Sequence, residues 1–417
     1  MTRTERSYYL LFGFYCVGWS VTSPMYALFL LSRGLDLLQI NLVLATYLIT
    51  AFVFEVPTGA IADLAGRKLS FILSCGLRAG AFALYGFAHG FVDCLIAECI
   101  DAIGTTLASG ALDAWAIDGM RAEGNTRASD RFFARAQMLA RALMIAGGLA
   151  GGYLAQRRME LTWFAGATVF ASTAVAAVLL MREAAGVEPR PRTRWTGMHR
   201  SVFITVQEAL AIVRGHPVLL LLCLVTLTAS FGMMPVHMLW QPRVQALTGE
   251  GVWFMGWVWA LLSVASIVGS ALMPRLLGHF GRSAVLTAAS LWRGAMLVVA
   301  GVATSVYPAL AGLMLQEMGF GLSEPVLQAW MNEHIEAERR ATVLSVRAMS
   351  FTLGGGTGLV CIGLIARDFG VQAAWLASAL AVGLTAVGFV VLARVARRPV
   401  AEPGTMVVEV ATPPTLG

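Results

Sequence analysis

Glu98, Asp101, Thr105, Ser109 and Asp113 follow one another at intervals of three and four residues through an otherwise largely apolar run. At about 100° per residue, that spacing places all five on one helix face roughly 120° wide, with Asp118 on the opposite face. A second run repeats the pattern: Glu317, Gly321, Glu324 and Gln328 share a face, and Glu333 points away. Carboxylates held in apolar surroundings could take up a proton or hold a cation, because burial disfavours their charged form. Arg78, Arg141 and Arg293 stand in the middle of other apolar runs and are candidate partners; a neighbouring arginine favours the charged carboxylate instead. Glu55, one turn before Gly59 and close to Pro57, is a further candidate for a proton path. The competing assignment for these residues is a structural network of ion pairs that holds helices in register.

The elements that must position these groups follow from composition. Of 417 residues, 58% are hydrophobic and 13% charged, whereas soluble domains carry about 25% charge. Mean hydropathy is +0.72. These values exclude a cytosolic enzyme and a nucleic-acid binder, and the net charge of +6 fits basic loops beside a membrane. About 20 apolar residues span a bilayer as a helix. On that measure the chain has twelve segments: 8–32, 38–61, 69–88, 93–119, 132–155, 160–181, 217–241, 252–277, 283–303, 305–332, 341–366 and 371–394. The expected fold is therefore an all-α membrane protein of two six-helix bundles, 1–182 and 217–398. A cytoplasmic linker, 183–216, would join them, and a disordered tail, 399–417, would follow. With the N-terminus inside, 20 basic residues fall on the inner side, five outside and five within spans. The bias places both termini in the cytoplasm and the chain in the plasma (cell inner) membrane. The first span is too long for a cleaved signal peptide. Six scattered cysteines suggest neither a disulfide nor a metal site.

The halves are related. Gly66-Arg67 matches Gly281-Arg282, Arg78 matches Arg293, and Leu112, Ala114 and Trp115 match Leu327, Ala329 and Trp330, all 215 residues apart. Asp118 and Glu333 share that register. Paired six-helix repeats with a site between them are a transporter architecture. After the second span the chain reads Gly59-Ala-Ile-Ala-Asp63-Leu-Ala-Gly66-Arg67-Lys68, which resembles the signature loop of the major facilitator superfamily, Gly-x-x-x-Asp-x-x-Gly-Arg-Lys. Gly147-Gly148-Leu-Ala-Gly151-Gly152 is similar to that family's Gly-Pro-x-x-Gly-Gly antiporter motif, with Gly148 in the proline position. The arginine that many proton-coupled members carry four residues before a glycine would fall on Ile100, ahead of Gly104. The resemblance covers about 8–396. It implies that Gly59, Asp63, Gly66, Arg67 and Lys68, with Asp118, Arg282 and Glu333, form a conformational latch closing the cytoplasmic side.

Spans seven and eight are rich in adaptable side chains. Phe231, Met234, His237 and Met238 are candidates for a cavity wall suited to hydrophobic ligands, and Trp240, Trp253 and Trp257 for an aromatic belt at the membrane surface. No phosphate-binding Gly-x-x-x-x-Gly-Lys-Ser/Thr loop is present. The expectation is a secondary carrier, not an enzyme, with no cofactor and H+ as coupling ion. Its partners would be a small-molecule substrate and the lipid bilayer, with no nucleic acid, and it would act as a monomer. It would export a small amphipathic or hydrophobic compound, such as a drug or metabolite, by alternating access. The alternatives are a proton symporter importing a nutrient and a non-transporting membrane sensor.

Overall fold

The computed structural model describes residues 2–124, 129–182, 213–249, 251–333 and 340–396; at 129–130, 331–333, 340–343 and 396 only the backbone is described. The expected linker, apart from 213–216, and the tail lie outside these residues.

Local chemistry sets the helix ends. α1 (Arg3–Ser20) opens on a reciprocal capping box between Thr2 and Glu5, which satisfies two orphan backbone donors. The first span is not one helix. A 3₁₀ turn at Ser23–Met25, containing Pro24, separates α1 from α2 (Tyr26–Ser32), because proline lacks a backbone donor. α3 (Leu37–Ala65) starts on a second capping box, Asp36 with Gln39, and stops at Gly66, whose φ of 98° favours glycine. α4 (Arg67–Phe87) follows directly. The fourth expected span is also divided, into α5 (Phe91–Ala108) and α6 (Ala111–Ala122), by Gly110 with φ 68°. α7 (Ser129–Arg157) and α8 (Glu160–Leu180) complete the first half. The second half comprises α9 (Pro217–Thr248), α10 (Phe254–His279), α11 (Arg282–Val302), α12 (Val306–Glu333) and α13 (Arg340–Ala396). The last is two spans joined at Gly370, where φ is 84° and ψ 169°.

Among the described residues, nine helices are long and apolar enough to cross a membrane. The segments outside that set, α5–α6 and α12, are those carrying the two acidic patterns. Leu179, Leu380 and Val387 are among many large apolar side chains left exposed on the outside of the bundle, which suits lipid rather than water.

The N-terminus and the turn at Gly66 define one end, here termed the basic end; the opposite end carries the α2–α3, α7–α8 and α9–α10 connections. At the basic end each half has its own core. Tyr8, Phe71, Trp115 and Phe132 pack in the first, and Leu222, Leu286, Trp330 and Phe389 in the second. Toward the far end one core draws on both halves, including Phe29, Tyr85 and Trp163 from the first and Leu239, Leu359 and Trp375 from the second. Hydrogen bonds join the halves there. The Ala27 amide donates to Gln241 Oε1 at 2.7 Å, Gln241 Nε2 donates to the Ser23 carbonyl at 2.9 Å, and Trp257 Nε1 donates to the Tyr153 hydroxyl at 3.1 Å. Close backbone approach needs glycine at this seam: a Cβ on Gly152 would lie 2.7 Å from the Trp253 carbonyl and 3.2 Å from the Gly256 Cα. Among the described residues, the halves thus share a core and are clamped together at the far end, and have separate cores at the basic end.

Candidate functional site: a charged cavity between the halves

Just inside the far-end clamp lies a cavity of about 540 Å³, within the range of small-molecule sites. Its first-half wall includes Trp19, Tyr26, Tyr47, Phe82, Tyr85 and Trp163; its second-half wall includes Met234, His237, Met238, Trp240, Trp259 and Phe320. Five residues with ionisable side chains of acid or base type line it: Glu98, Asp101, Arg141, His237 and Glu317. Helix α5 presents Glu98 and Asp101, α7 presents Arg141, α9 presents His237 and α12 presents Glu317.

The acids have different partners. Asp101 forms a bidentate pair with Arg78, Nε to Oδ1 at 2.7 Å and Nη2 to Oδ2 at 3.2 Å. Both residues are buried, and the guanidinium also lies over Phe170 at 4.4 Å and Tyr15 at 5.0 Å. A buried charge requires such pairing. Glu98, one turn earlier on the same face, accepts from the Tyr85 hydroxyl and has no basic side chain within ion-pair distance among the described residues. Tyr85 is fixed by stacking on Trp163 at 4.0 Å and lies 3.4 Å from the Tyr26 hydroxyl. In the second half Arg293 Nε donates to Gln316 Oε1 at 3.3 Å, and Gln316 Nε2 donates to Glu317 Oε1 at 2.9 Å. Arg293 Nη2 also meets Met233 Sδ at 3.2 Å. Arg141 makes no hydrogen bond or ion pair among the described residues.

Several residues expected at the site lie elsewhere. The break at Gly110 ends the α5 stripe, so Ser109 donates to Glu55 at 2.8 Å and Asp113 accepts from Tyr8 at 2.6 Å, both toward the basic end. Glu324 pairs with Arg347 at 2.6 Å and accepts from Gln328 at 2.9 Å, away from the cavity lining. Gly321 faces α10 instead, since a Cβ there would fall 2.0 Å from the Ser266 carbonyl. Phe231 packs against α13, where a Cβ on Gly358 would stand 2.1 Å from the Phe231 carbonyl, and does not line the cavity. Trp240 is buried on the cavity wall rather than at the membrane surface; Trp253 lies at the seam between halves, against Gly152.

The sequence model of the Major Facilitator Superfamily matches residues 8–282 and 244–415. This chain belongs to that superfamily. It is 23% identical over 364 residues to the uncharacterized MFS-type transporter YxaM of Bacillus subtilis (strain 168), covering 86% of this chain and 88% of that one. Its fold resembles the nucleoside transporter NupG, with a TM-score of 0.74, 12% identity and 94% of this chain and 100% of that chain covered. It also resembles a D-xylose–proton symporter, with a TM-score of 0.68, 15% identity and 92% and 96% covered. The chain is a membrane transporter of the MFS type.

The superfamily's signature loop lies at the basic end of the first half. Arg67 Nη1 donates to Asp118 and, at 2.6 Å, to the Ala114 carbonyl, binding the start of α4 to α6. Lys68 Nζ donates to the Val178 and Met181 carbonyls at 2.8 and 2.7 Å, capping α8. Gly66 is required by its positive φ, whereas a Cβ on Gly59 would meet nothing within 4 Å. Asp63 lies in the last turn of α3, and Arg282 opens α11 as Arg67 opens α4. The side chain of Glu333 lies outside the described residues. The glycine run of the fifth span is a packing surface: Gly147 faces Ser20, Gly151 faces the Val21 carbonyl, Gly148 faces Trp259 and Gly152 faces the second half.

Tyr85, Trp163 and Gln316 are site residues that charge patterning overlooks. Gln316 was accessible through the repeat, since it stands 215 residues after Asp101 just as Arg293 stands 215 after Arg78.

Proposed function

We propose that this MFS protein is a proton-coupled carrier that exports a small amphipathic compound from the cytoplasm by alternating access. The observation that carries the proposal is Glu98. It is a buried carboxylate on the cavity wall, held by Tyr85 and lacking a basic partner among the described residues, whereas Asp101 is neutralised by Arg78 and Glu324 by Arg347. Such a group has two ways to satisfy its charge: a proton or a substrate cation. Competition between the two couples their movements in opposite directions.

The basic end is the cytoplasmic one in this reading, because Arg3, Arg6, Arg67, Lys68, Arg121, Arg182, Arg275 and Arg282 are among the described basic residues at that end. The far-end clamp and divided basic end are then the state open to the cytoplasm. In the opposite state, Asp63 with Arg67, Asp118, Arg282 and Glu333 would draw the basic ends together; a bias of about 1–3 kcal/mol suffices to move a near-balanced equilibrium. The aromatic and methionine walls support an amphipathic cargo.

The test is flux in liposomes containing the purified protein under an imposed pH gradient, with a panel of amphipathic amines. Uphill counter-flow of amine against protons is expected. Glu98→Gln is expected to reduce it tenfold or more, the effect of removing a contact worth about 1.5–3 kcal/mol. Co-directional flux would establish an importer, and absence of flux across the panel would favour a sensor.

A further inference from the structure

The unpaired groups of the cavity have opposite signs. Asp101 is matched by Arg78, and Glu317 is linked through Gln316 to Arg293. That leaves Glu98, whose donor is a tyrosine hydroxyl, and Arg141, which has no acceptor among the described residues. Both line the same cavity, on α5 and α7, with Glu317 and His237 on the second-half wall, so a ligand there meets a buried carboxylate and an exposed guanidinium that have no ion-pair partner among the described residues. Trp163, about 2% exposed, adds an aromatic face to the same cavity.

We infer that the cargo is zwitterionic: an ammonium held by Glu98 against the Tyr85 and Trp163 rings, an anionic group held by Arg141, and an aromatic or apolar body between them. A lone cation would leave Arg141 unmatched, and a lone anion would leave Glu98 unmatched. A neutral apolar compound would leave both. The aromatic walls suit the ammonium through cation–π attraction, and the arginine fork suits a carboxylate or phosphate.

This inference rests on the cavity being the cargo site of the proposed carrier, but its test is binding rather than flux. Three probes share one aromatic body: phenylalanyl-phenylalanine with free ends, its N-acetyl derivative, which is an anion, and its C-terminal amide, which is a cation. Calorimetric titration of the full-length protein in detergent is expected to rank the zwitterion ahead of each derivative by about tenfold or more. Glu98→Gln should close the gap to the N-acetyl probe and leave the gap to the amide. Arg141→Gln should do the reverse. Equal binding of either derivative by the unsubstituted protein, or binding of none of the three, overturns the inference. If the ranking holds but pH-driven flux is absent, the coupling falls and the zwitterion site stands; if flux is present but the ranking fails, this inference alone falls.

Discussion

Arg78 and Arg293 occupy the same position in the two halves, and the same scaffold holds them. Each reaches a side chain 23 residues later on the following long helix. Each also packs its Cγ where a Cβ on a glycine, Gly104 or Gly319, would lie 2.7 Å away. The partner is what differs: a carboxylate, Asp101, in the first half and an amide, Gln316, in the second. An amide has the shape of a carboxylic acid that has kept its proton, so the second-half site cannot change charge at that position. The first half retains that capacity and adds Glu98 a turn away. The helix crossing is common to both halves, while the group that meets the arginine differs between the two sides of the cavity.

The largest expected effect comes from removing the two partners in turn. Asp101→Ala leaves the Arg78 guanidinium buried without its counter-charge and should destabilise the protein by roughly 3–5 kcal/mol. Gln316→Ala removes one neutral acceptor from a guanidinium that keeps its contacts with Met233 Sδ and the Phe320 ring, together with one neutral donor to Glu317, and should cost roughly 1–3 kcal/mol. Unfolding in detergent, followed by circular dichroism, measures both. Equal losses would mean that the two sites bear the same electrostatic load and would break the comparison.

The shared scaffold makes a smaller and less equal prediction. Gly104→Ala presses a methyl against the Arg78 Cγ and also against the Ser74 carbonyl at 3.2 Å and the Arg78 amide at 3.3 Å. Backbone cannot yield as a side chain does, so a loss of roughly 1–3 kcal/mol is expected. Around Gly319 the close atoms are all side-chain: Arg293 Cγ and Cδ and Trp292 Cδ1. Gly319→Ala should therefore cost less than half as much, part of it offset by the better helix propensity of alanine, worth about 1 kcal/mol. The same unfolding measurement ranks the two.

Gln316→Glu would rebuild the first-half arrangement in the second. Arg293 gains a carboxylate, but Glu317 loses the hydrogen bond from Gln316 Nε2 and acquires a negative neighbour. The two effects oppose each other, so the net change in stability should stay within about 1 kcal/mol. A large gain would show that the amide is retained for function at the expense of stability.

How much of this was legible from residues alone depends on whether a group repeats. The 215-residue register made the fold, the halves and the arginine pair visible, because identical residues recur at Gly66 and Gly281 and at Arg78 and Arg293. Where the repeat diverges, as from Asp101 to Gln316, a search for charge passes over the uncharged partner. Tyr85 and Trp163 left no trace, since one aromatic residue in an apolar helix resembles any other until its stacking partner is known. The acidic stripe from Glu98 to Asp113 presumed one continuous helix. Gly110 breaks it, and glycine is too common within membrane spans to announce a break. Glu98 and Asp101 consequently line the cavity, while Asp113 turns toward Tyr8.

The smallest expected effect lies at the basic end, where a carboxylate is held by threonine donors rather than by a buried arginine. Glu123, just after α6, accepts from the Thr4 amide at 3.2 Å and the Thr4 hydroxyl at 2.7 Å. Burial acts to raise its pKa, but the hydrogen bonds from Thr2 and Thr4 outweigh it and hold the carboxyl below its ordinary value. The folded state therefore favours the ionised form. Its contribution is present above the unfolded-state pKa and is lost as pH falls through the lower, folded-state value. Solvent screens this exposed contact, so Glu123→Gln should lower Tm only slightly at pH 7, and the curves of variant and unsubstituted protein should converge as pH falls through the carboxylate range. If the two curves stayed apart at low pH, the contact would not rest on the ionised carboxylate, and the contrast between this solvated site and the buried Arg78–Asp101 pair would lose its basis.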